Sequence, residues 1–434
     1  LIKSDFMNNL ALILLVAVIA LSFTVVTGTS KVIGYGSFAL SMIILFLYHA
    51  PLSIWKQALE ENLYLIIMFT LVPLLGIPIQ HGGYFESLQS VFRRYVNTNS
   101  RFYLLVSIVS AFIGVLVNMA VVPLVHQISQ ASDRSKNKKL LCSAISRGFT
   151  TVTIWAPTTA AIACIMKLTG TQWTVFFPFG ILLGIIAGSI GYIMTMAEEK
   201  RIGTTFENSD EKPIQEINMY KTVELCLFSL ILISAIAIVS LATGISTIIV
   251  VSIASLVFPV IWLGFIKRLP ILLREFKGDY FTVSLPKLKN EIVLFVGAGL
   301  LETSITYSHL GDYIPQLLNI IVGHSALLLA IVVILLSLLL SILGLHPIIL
   351  VTIIGGTVKA AAYGVSPTYM ALILCTSWAM GISISPSAAN VIAISGLAEL
   401  SPIQVGLRWN GSYVLIVSTV LMMVLTLFRT IGLV

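Results

Sequence analysis

The chain has 434 residues, of which 58% are hydrophobic and only 10% charged. That composition excludes an ordinary soluble globule and places the chain among polytopic membrane proteins. The formal net charge of +7 is no nucleic-acid signature, because the basic residues fall in loops, where membrane topology puts them; no nucleic-acid partner is expected.

Apolar segments fall at about 9–27, 33–50, 62–79, 103–128, 140–166, 172–196, 222–243, 246–266, 291–308, 325–358, 367–397 and 403–430. Most are long enough to cross a hydrocarbon core of roughly 30 Å. Their Ile, Leu and Val runs are apolar all round and too long for strands, so the class is an all-α polytopic membrane protein. Residues 1–8 form a short polar lead, and because the first residue is Leu1 the sequence leaves open whether a signal or a further helix precedes it. Tyr84 to Thr98 reads as an amphipathic surface helix, with Phe85, Leu88, Phe92 and Tyr95 at helical spacing beside Arg93 and Arg94. A basic loop follows the 103–128 segment (Arg134, Lys136, Lys138, Lys139). Residues 197–221, with Glu198, Glu199, Lys200, Arg201, Asp210, Glu211 and Lys212, are the most polar stretch and read as a solvated cytoplasmic linker. Cys142, Cys164, Cys226 and Cys375 all lie in apolar segments without ligand-like pairing and read as small core residues.

After the linker the pattern repeats. Thr27-Gly28 returns as Thr243-Gly244, His81 as His309, Asn118 as His346, and Pro157-Thr158 as Pro386-Ser387; the last three share an offset of about 228 residues. The first pair has a smaller offset, which a longer loop at 267–290 explains. Four matches in one order indicate an internal duplication, 1–196 and 222–434, and transporters are commonly built this way with the site at the repeat interface.

If the segments at 103–128 and 325–358 cross the membrane, each repeat has six spans and the repeats are parallel, the plan of a major-facilitator-type carrier. If both are re-entrant hairpins, each repeat has five spans and the repeats are inverted. Counting Lys and Arg does not choose, but their placement favours hairpins. The hairpin plan puts Arg93, Arg94 and Arg101 inside and leaves only scattered outer residues, Lys3, Lys56, Lys167, Lys359 and Arg429. Asn118 and Pro123, and Gly344, His346 and Pro347, also suit a tip at membrane depth better than the centre of a lipid-facing helix.

In this order of elements the chain resembles the ion transporter superfamily, and within it the divalent anion/sodium symporters. The resemblance covers nearly the whole chain. It implies per repeat three spans, an interfacial helix, a re-entrant hairpin (103–128 and 325–358), a span broken at mid-membrane (140–166 and 367–397) and a final span. It also implies an elevator motion and a homodimer. The Asn118 and Pro123 of the first tip match the family's tip; the second tip, Gly344-Leu345-His346-Pro347, lacks its Ser-Asn-Thr signature. Trp155-Ala156-Pro157-Thr158-Thr159 and Ser385-Pro386-Ser387-Ala388-Ala389-Asn390 look like the family's broken spans.

The expected binding residues are Asn118, Thr158, Thr159, His346, Ser385, Ser387 and Asn390. Asn118 can donate and accept, which suits an ion, a solute carbonyl or a plain helix–helix bond. The hydroxyls of Thr158, Thr159, Ser385 and Ser387 either line the site or cap backbone groups that the prolines free. Half-helix N-termini after Pro157 and Pro386 would present N–H groups to an anion. Asn118, His346 and Glu302 are the candidates for coupling to a proton or sodium: imidazole titrates near physiological pH, and Glu302 is the one carboxylate well inside an apolar segment. His346 has a plainer reading as a core histidine, and Glu302 as a structural acid. Arg147 and Arg408 read as snorkelling residues near cytoplasmic ends. Trp155 and Trp378 read as packing residues, and Asp312 and Glu399 as surface or cap residues.

The expected function is secondary active transport of a small polar or anionic solute, in the plasma (inner) membrane of a prokaryote. The chain carries no G-x-x-x-x-G-K-[ST], so ATP is not the direct energy source, and no cofactor is expected. The alternatives are a twelve-span major-facilitator-type carrier, whose loop signature is missing between Tyr48 and Glu61, and an integral membrane enzyme acting on lipid-linked substrates. The enzyme would need paired acids or a metal-spaced His cluster, and the sequence offers neither.

Overall fold

A computed structural model describes residues 5–202 and 219–434. Among the described residues the chain is helix and turn throughout, with eight helices long and apolar enough to cross a membrane, or nine counting one bent pair.

The first half runs α1 (Asp5–Val25), α2 (Gly28–Leu47), α3 (Leu52–Glu60), α4 (Leu63–Leu71), α5 (Gly76–His81), α6 (Tyr84–Tyr95), α7 (Asn99–Val117), α8 (Val121–Ser129), α9 (Lys138–Val152), α10 (Ala160–Thr169) and α11 (Trp173–Ile202). The second half runs α12 (Met219–Thr243), α13 (Thr247–Phe265), α14 (Leu269–Glu275), α15 (Leu285–Lys287), α16 (Lys289–Tyr307), α17 (Tyr313–Val322), α18 (Ala326–Ile342), α19 (Pro347–Thr357), α20 (Pro367–Ile384), α21 (Ala389–Ala398) and α22 (Trp409–Thr430).

Several boundaries differ from the sequence reading. The first helix starts at Asp5, inside the stretch read as a polar lead. The expected loop at 267–290 is helical, including one π-helical stretch, Phe276–Ser284. The expected linker loses its first residues to α11, which runs on to Ile202. Lys3, Asp210, Glu211 and Lys212 lie outside the described residues. The amphipathic helix α6 is turned by about one residue from its expected face. Tyr84, Ser87, Leu88, Val91 and Phe92 are buried and Tyr95 is exposed. The cause is a polar anchor: Tyr84 donates to Glu224 Oε1 at 2.6 Å and accepts from Trp262 Nε1 at 2.7 Å.

The α7–α8 segment folds back on itself at Asn118. As one straight helix its 31 residues would reach roughly 46 Å. Instead Arg134 Nη2, beyond its end, donates to the Asn97 carbonyl before its start at 2.8 Å. The end of α11 closes the same edge: Glu199 accepts from the Asn99 and Ser100 amides at 2.8 and 3.1 Å, and Lys139 reaches Glu198 at 2.6 Å. The α18–α19 segment folds back likewise. Tyr363, after it, donates to Pro315 O at 3.0 Å, and Tyr369 to Ala326 O at 3.2 Å.

The rods α9–α10 and α20–α21 are each interrupted, and they run antiparallel. Lys138 at the start of α9 donates to the Ala398 carbonyl at the end of α21 at 2.8 Å. Toward the other end, Leu168 of α10 lies against Gly355 of α19, beside Leu374 in the first half of α20. The packing is reciprocal. Helices α7 and α8 lie on α9 while α18 and α19 lie on α20, and α8 reaches α21 while α19 reaches α10. Around this core, α2 and α3 pack on α16, and α4 packs on α13.

Arg147, read from sequence as a snorkelling residue, is instead buried in the core at 6% exposure. Its Nε donates to Asn410 Oδ1 at 2.9 Å and its Nη2 to the Trp409 carbonyl at 3.0 Å, while the guanidinium lies 4.5 Å from the Tyr413 ring centre. Among the described residues no carboxylate pairs with it. Carbonyl, amide and ring faces therefore neutralise the charge, and they pin α9 to α22. Arg408 is exposed, as expected. Arg147→Ala should lower stability by about 3 kcal/mol, because it strands Asn410 and the Trp409 carbonyl. Arg147→Lys should recover little of the loss, since an ammonium lacks the planar fork. Thermal unfolding in detergent measures both; an unchanged midpoint in Arg147→Ala would contradict the pin.

Candidate functional site

The two fold-backs bring their tips to the two interruptions. At the first tip the chain turns at Asn118, with φ 50° and ψ −126°, a conformation rare for any residue but glycine. At the facing break, Thr158 donates its hydroxyl to the Val115 carbonyl of α7 at 2.5 Å, Thr159 donates to Ala156 O at 2.9 Å, and Trp173 Nε1 takes the Trp155 carbonyl at 2.9 Å. At the second tip, Gly344 has φ 93°. At its break, Ser387 donates to the Gly344 carbonyl at 2.8 Å and its hydroxyl lies 2.9 Å from that of Ser385. Gly381 of α20 has no Cβ where one would stand 2.7 Å from Pro347, so the tip can sit directly on the rod.

Of the expected residues, Thr158, Thr159 and Ser387 therefore answer freed carbonyls, and Ser385 joins Ser387. His346 begins α19. Its Nδ1 accepts from the Ile348 amide at 3.2 Å, so in this arrangement Nε2 carries the proton of the neutral ring. The ring edge meets Trp378 at 5.6 Å, which makes Trp378 a wall of the tip as well as a packing residue. Asn118 is half-buried, and its side chain makes no hydrogen bond among the described residues. Asn390 is 2% exposed, and its Nδ2 has no partner. No hydrogen bond among the described residues joins the Asn118–Thr158 group to the Ser387–His346 group. Glu302 is apart from both, on α16 against Gly356. Asp312 and Glu399 are exposed, Asp312 beside His309 and Glu399 past the end of α21.

Helices α7, α9, α18, α19 and α20 each begin on a side-chain cap, from Thr98, Asn137, Ser325, His346 and Ser366. Helices α8, α10 and α21, which begin at the first tip and at the two breaks, have none. Their first-turn N–H groups face the interruptions without a side-chain acceptor, and such helix starts favour an anion. The sequence reading missed Ser341, Thr376 and Ser377, whose buried hydroxyl oxygens have no partner among the described residues. Their one signal was a small polar residue inside an apolar run. The four cysteines are free thiols, three buried and Cys226 half-buried.

No protein-family model matches the sequence, and no curated protein matches it. Solved structures similar over most of the chain include two transporters. The Alcanivorax borkumensis YdaH transporter, described as having an unusual topology, is 16% identical with a TM-score of 0.61, over 92% of this chain and 98% of that one. Neisseria gonorrhoeae MtrF, described as illuminating a class of antimetabolite efflux pumps, is 13% identical with a TM-score of 0.51, over 82% and 80%. At these identities the likeness is one of fold. It is to transporters, and it does not single out the divalent anion/sodium symporters.

Ser387→Ala should remove the donor that holds Gly344 O, a loss of about 1 kcal/mol. Hydrogen exchange at the 343–346 amides should then rise several-fold, while Ser387→Thr stays near wild type. Equal exchange in Ser387→Ala would mean that the contact does not hold the tip.

Proposed function

We propose that this protein is a secondary active transporter that moves a small polar or anionic solute by elevator-type alternating access, not an enzyme. The observation that carries the reading is the pair of opposed fold-backs. The α7–α8 pair opens at the edge where α9 begins and α21 ends, and the α18–α19 pair opens at the edge where α20 begins. Inverted repeats require this antiparallel relation between the rods, and the reciprocal packing follows from it. On this reading the two fold-backs are re-entrant hairpins of five-span repeats, the twelve-span carrier is disfavoured, and the plan is that of the ion transporter superfamily. Arg93, Arg94, Arg101, Arg134, Lys138 and Lys139 gather around the first opening, which makes that face cytoplasmic. The remaining features, a homodimer in the plasma (inner) membrane of a prokaryote and coupling to a proton or sodium gradient, follow from the same reading.

The uncapped starts of α8, α10 and α21 favour an anionic group on the solute, with Asn118, Ser385, Ser387 and Asn390 around it. The likeness to MtrF makes organic antimetabolites the first solutes to test. For coupling we favour a proton at His346. Protonating Nδ1 would end its bond from the Ile348 amide, so charge uptake would loosen the start of α19 at the tip. The test is flux into proteoliposomes of organic anions under separate proton and sodium gradients. A pH gradient should drive accumulation, and His346→Gln should keep solute exchange while losing that accumulation. Accumulation that needs sodium and ignores the pH gradient would overturn the coupling, and no flux of any solute under either gradient would overturn the transporter.

A further inference from the structure

Three charged residues that the site does not use lie around one joint where the core touches its surround, two of them in direct contact. Lys167 ends α10, which belongs with the hairpins and rods. Its ammonium donates to both the carbonyl and the carboxylate of Glu61, at the joint between α3 and α4. The pair is mostly buried, with 25% of the lysine side chain and 17% of the glutamate side chain exposed. The ammonium also lies 4.9 Å from the Tyr64 ring centre. Glu61 is held in turn: its neighbour Asn62 donates to the Phe295 carbonyl of α16 at 2.8 Å.

Glu302 completes the group. It lies one helical turn past Gly299, and a Cβ on Gly299 would stand 2.7 Å from Asn62 Nδ2 and 3.3 Å from Glu61 Cβ. Residues three apart share a helix face, so Glu302 faces the same joint. Lys167 and Glu61 are the charged pair at that joint. Its Oε2 is buried without a partner among the described residues, which is costly in an apolar surround. A Cβ on Gly356 of α19 would come within 3.0 Å of the Glu302 side chain, so the glycine lets the hairpin arm pass close to the acid.

We propose that Lys167 is the bolt of a two-station latch between core and surround, resting on Glu61 in the present arrangement and on Glu302 when the core has shifted. The proposal rests on the moving core of the preceding section. One lysine faces two carboxylates, one engaged and one with a free oxygen, and both belong to the elements around the core. A lysine suits the task because its four-carbon stem is flexible and its ammonium has three donors. Losing either station biases the core toward the other.

Cys164, buried one turn before Lys167, reports the latch in full-length protein whose other three cysteines are replaced by alanine. Glu61→Gln should raise the alkylation rate of Cys164 about tenfold, the effect of roughly 1.4 kcal/mol on a two-state balance. Glu302→Gln should leave Cys164 protected and slow solute exchange by a similar factor. The charge-swapped double variant Glu61→Lys with Lys167→Glu should return alkylation toward the wild-type rate, as an ion pair between these two positions requires; the Glu302→Gln exchange rate is the readout that a merely structural pair would not move. Alkylation unchanged by Glu61→Gln, exchange that is measurable in the wild type but unchanged by Glu302→Gln, or a swapped pair no better than Glu61→Gln would each overturn the latch. The alkylation arm needs no solute. A protein that exchanges solute but shows no alkylation response loses the latch and keeps the transporter. A protein that transports nothing but shows the response loses the transporter and keeps the latch.

Discussion

A carbonyl freed by a chain break inside an apolar layer must find a donor, and the arrangement of this core follows from where the donors come from. The break after α9 meets the first tip through Thr158 and Val115 O, and the break after α20 meets the second through Ser387 and Gly344 O. Each hairpin thus depends on a rod for its tip, and each rod is closed at its break by a hairpin. The crossed contacts of α8 with α21 and of α19 with α10 then join the two halves into one body. Arg147 fastens that body to the last helix without a counter-charge, through a carbonyl, an amide and an aromatic face.

The same constraint explains which polar groups remain available. Side chains cap α7, α9, α18, α19 and α20, while α8, α10 and α21, at the first tip and the two breaks, begin without one. The apolar cluster of Leu15, Ile19, Leu45, Ala58, Ile66, Ile292, Val296 and Leu300 lies apart from the main core. The surround therefore has some packing of its own, while Phe69, Phe228, Trp262 and Phe295 join the main core. Its contact with the core includes apolar packing, with Phe295 stacked on Trp378 at 6.4 Å, close approaches at Gly76 against Val117 and Gly356 against Glu302, and the Lys167 bridge to Glu61.

The sequence carried the class, the order of elements and the positions of both tips and breaks, because Pro, Gly and Asn are conspicuous inside runs of Leu, Ile and Val. Asn118 and Gly344 fall at the turns expected of them. It carried less about partners, which depend on chain-distant neighbours. Thr158 and Thr159 could equally have lined a site, and only the place of Val115 shows the bond that Thr158 makes. His346 was legible as a tip residue, but its bond from Ile348 depends on the dihedral geometry of an α-helix start. Arg147 was misread because its neighbour Asn410 lies 263 residues away, and a lone arginine near a helix end looks the same whether it turns in or out. The face of α6 was misread by about one residue for the same reason, since Tyr84 is drawn in by Glu224 and Trp262.

The central claim is that the two hairpins open on opposite faces of the membrane. Lys136 and Lys359 are both exposed and lie just beyond the openings of the first and second hairpins. A single cysteine at each position, in a background without Cys142, Cys164, Cys226 and Cys375, can be labelled with an impermeant thiol reagent in intact cells. The account predicts that a cysteine at 359 reacts from outside while one at 136 reacts only after the membrane is opened; labelling of both from the same side would contradict it.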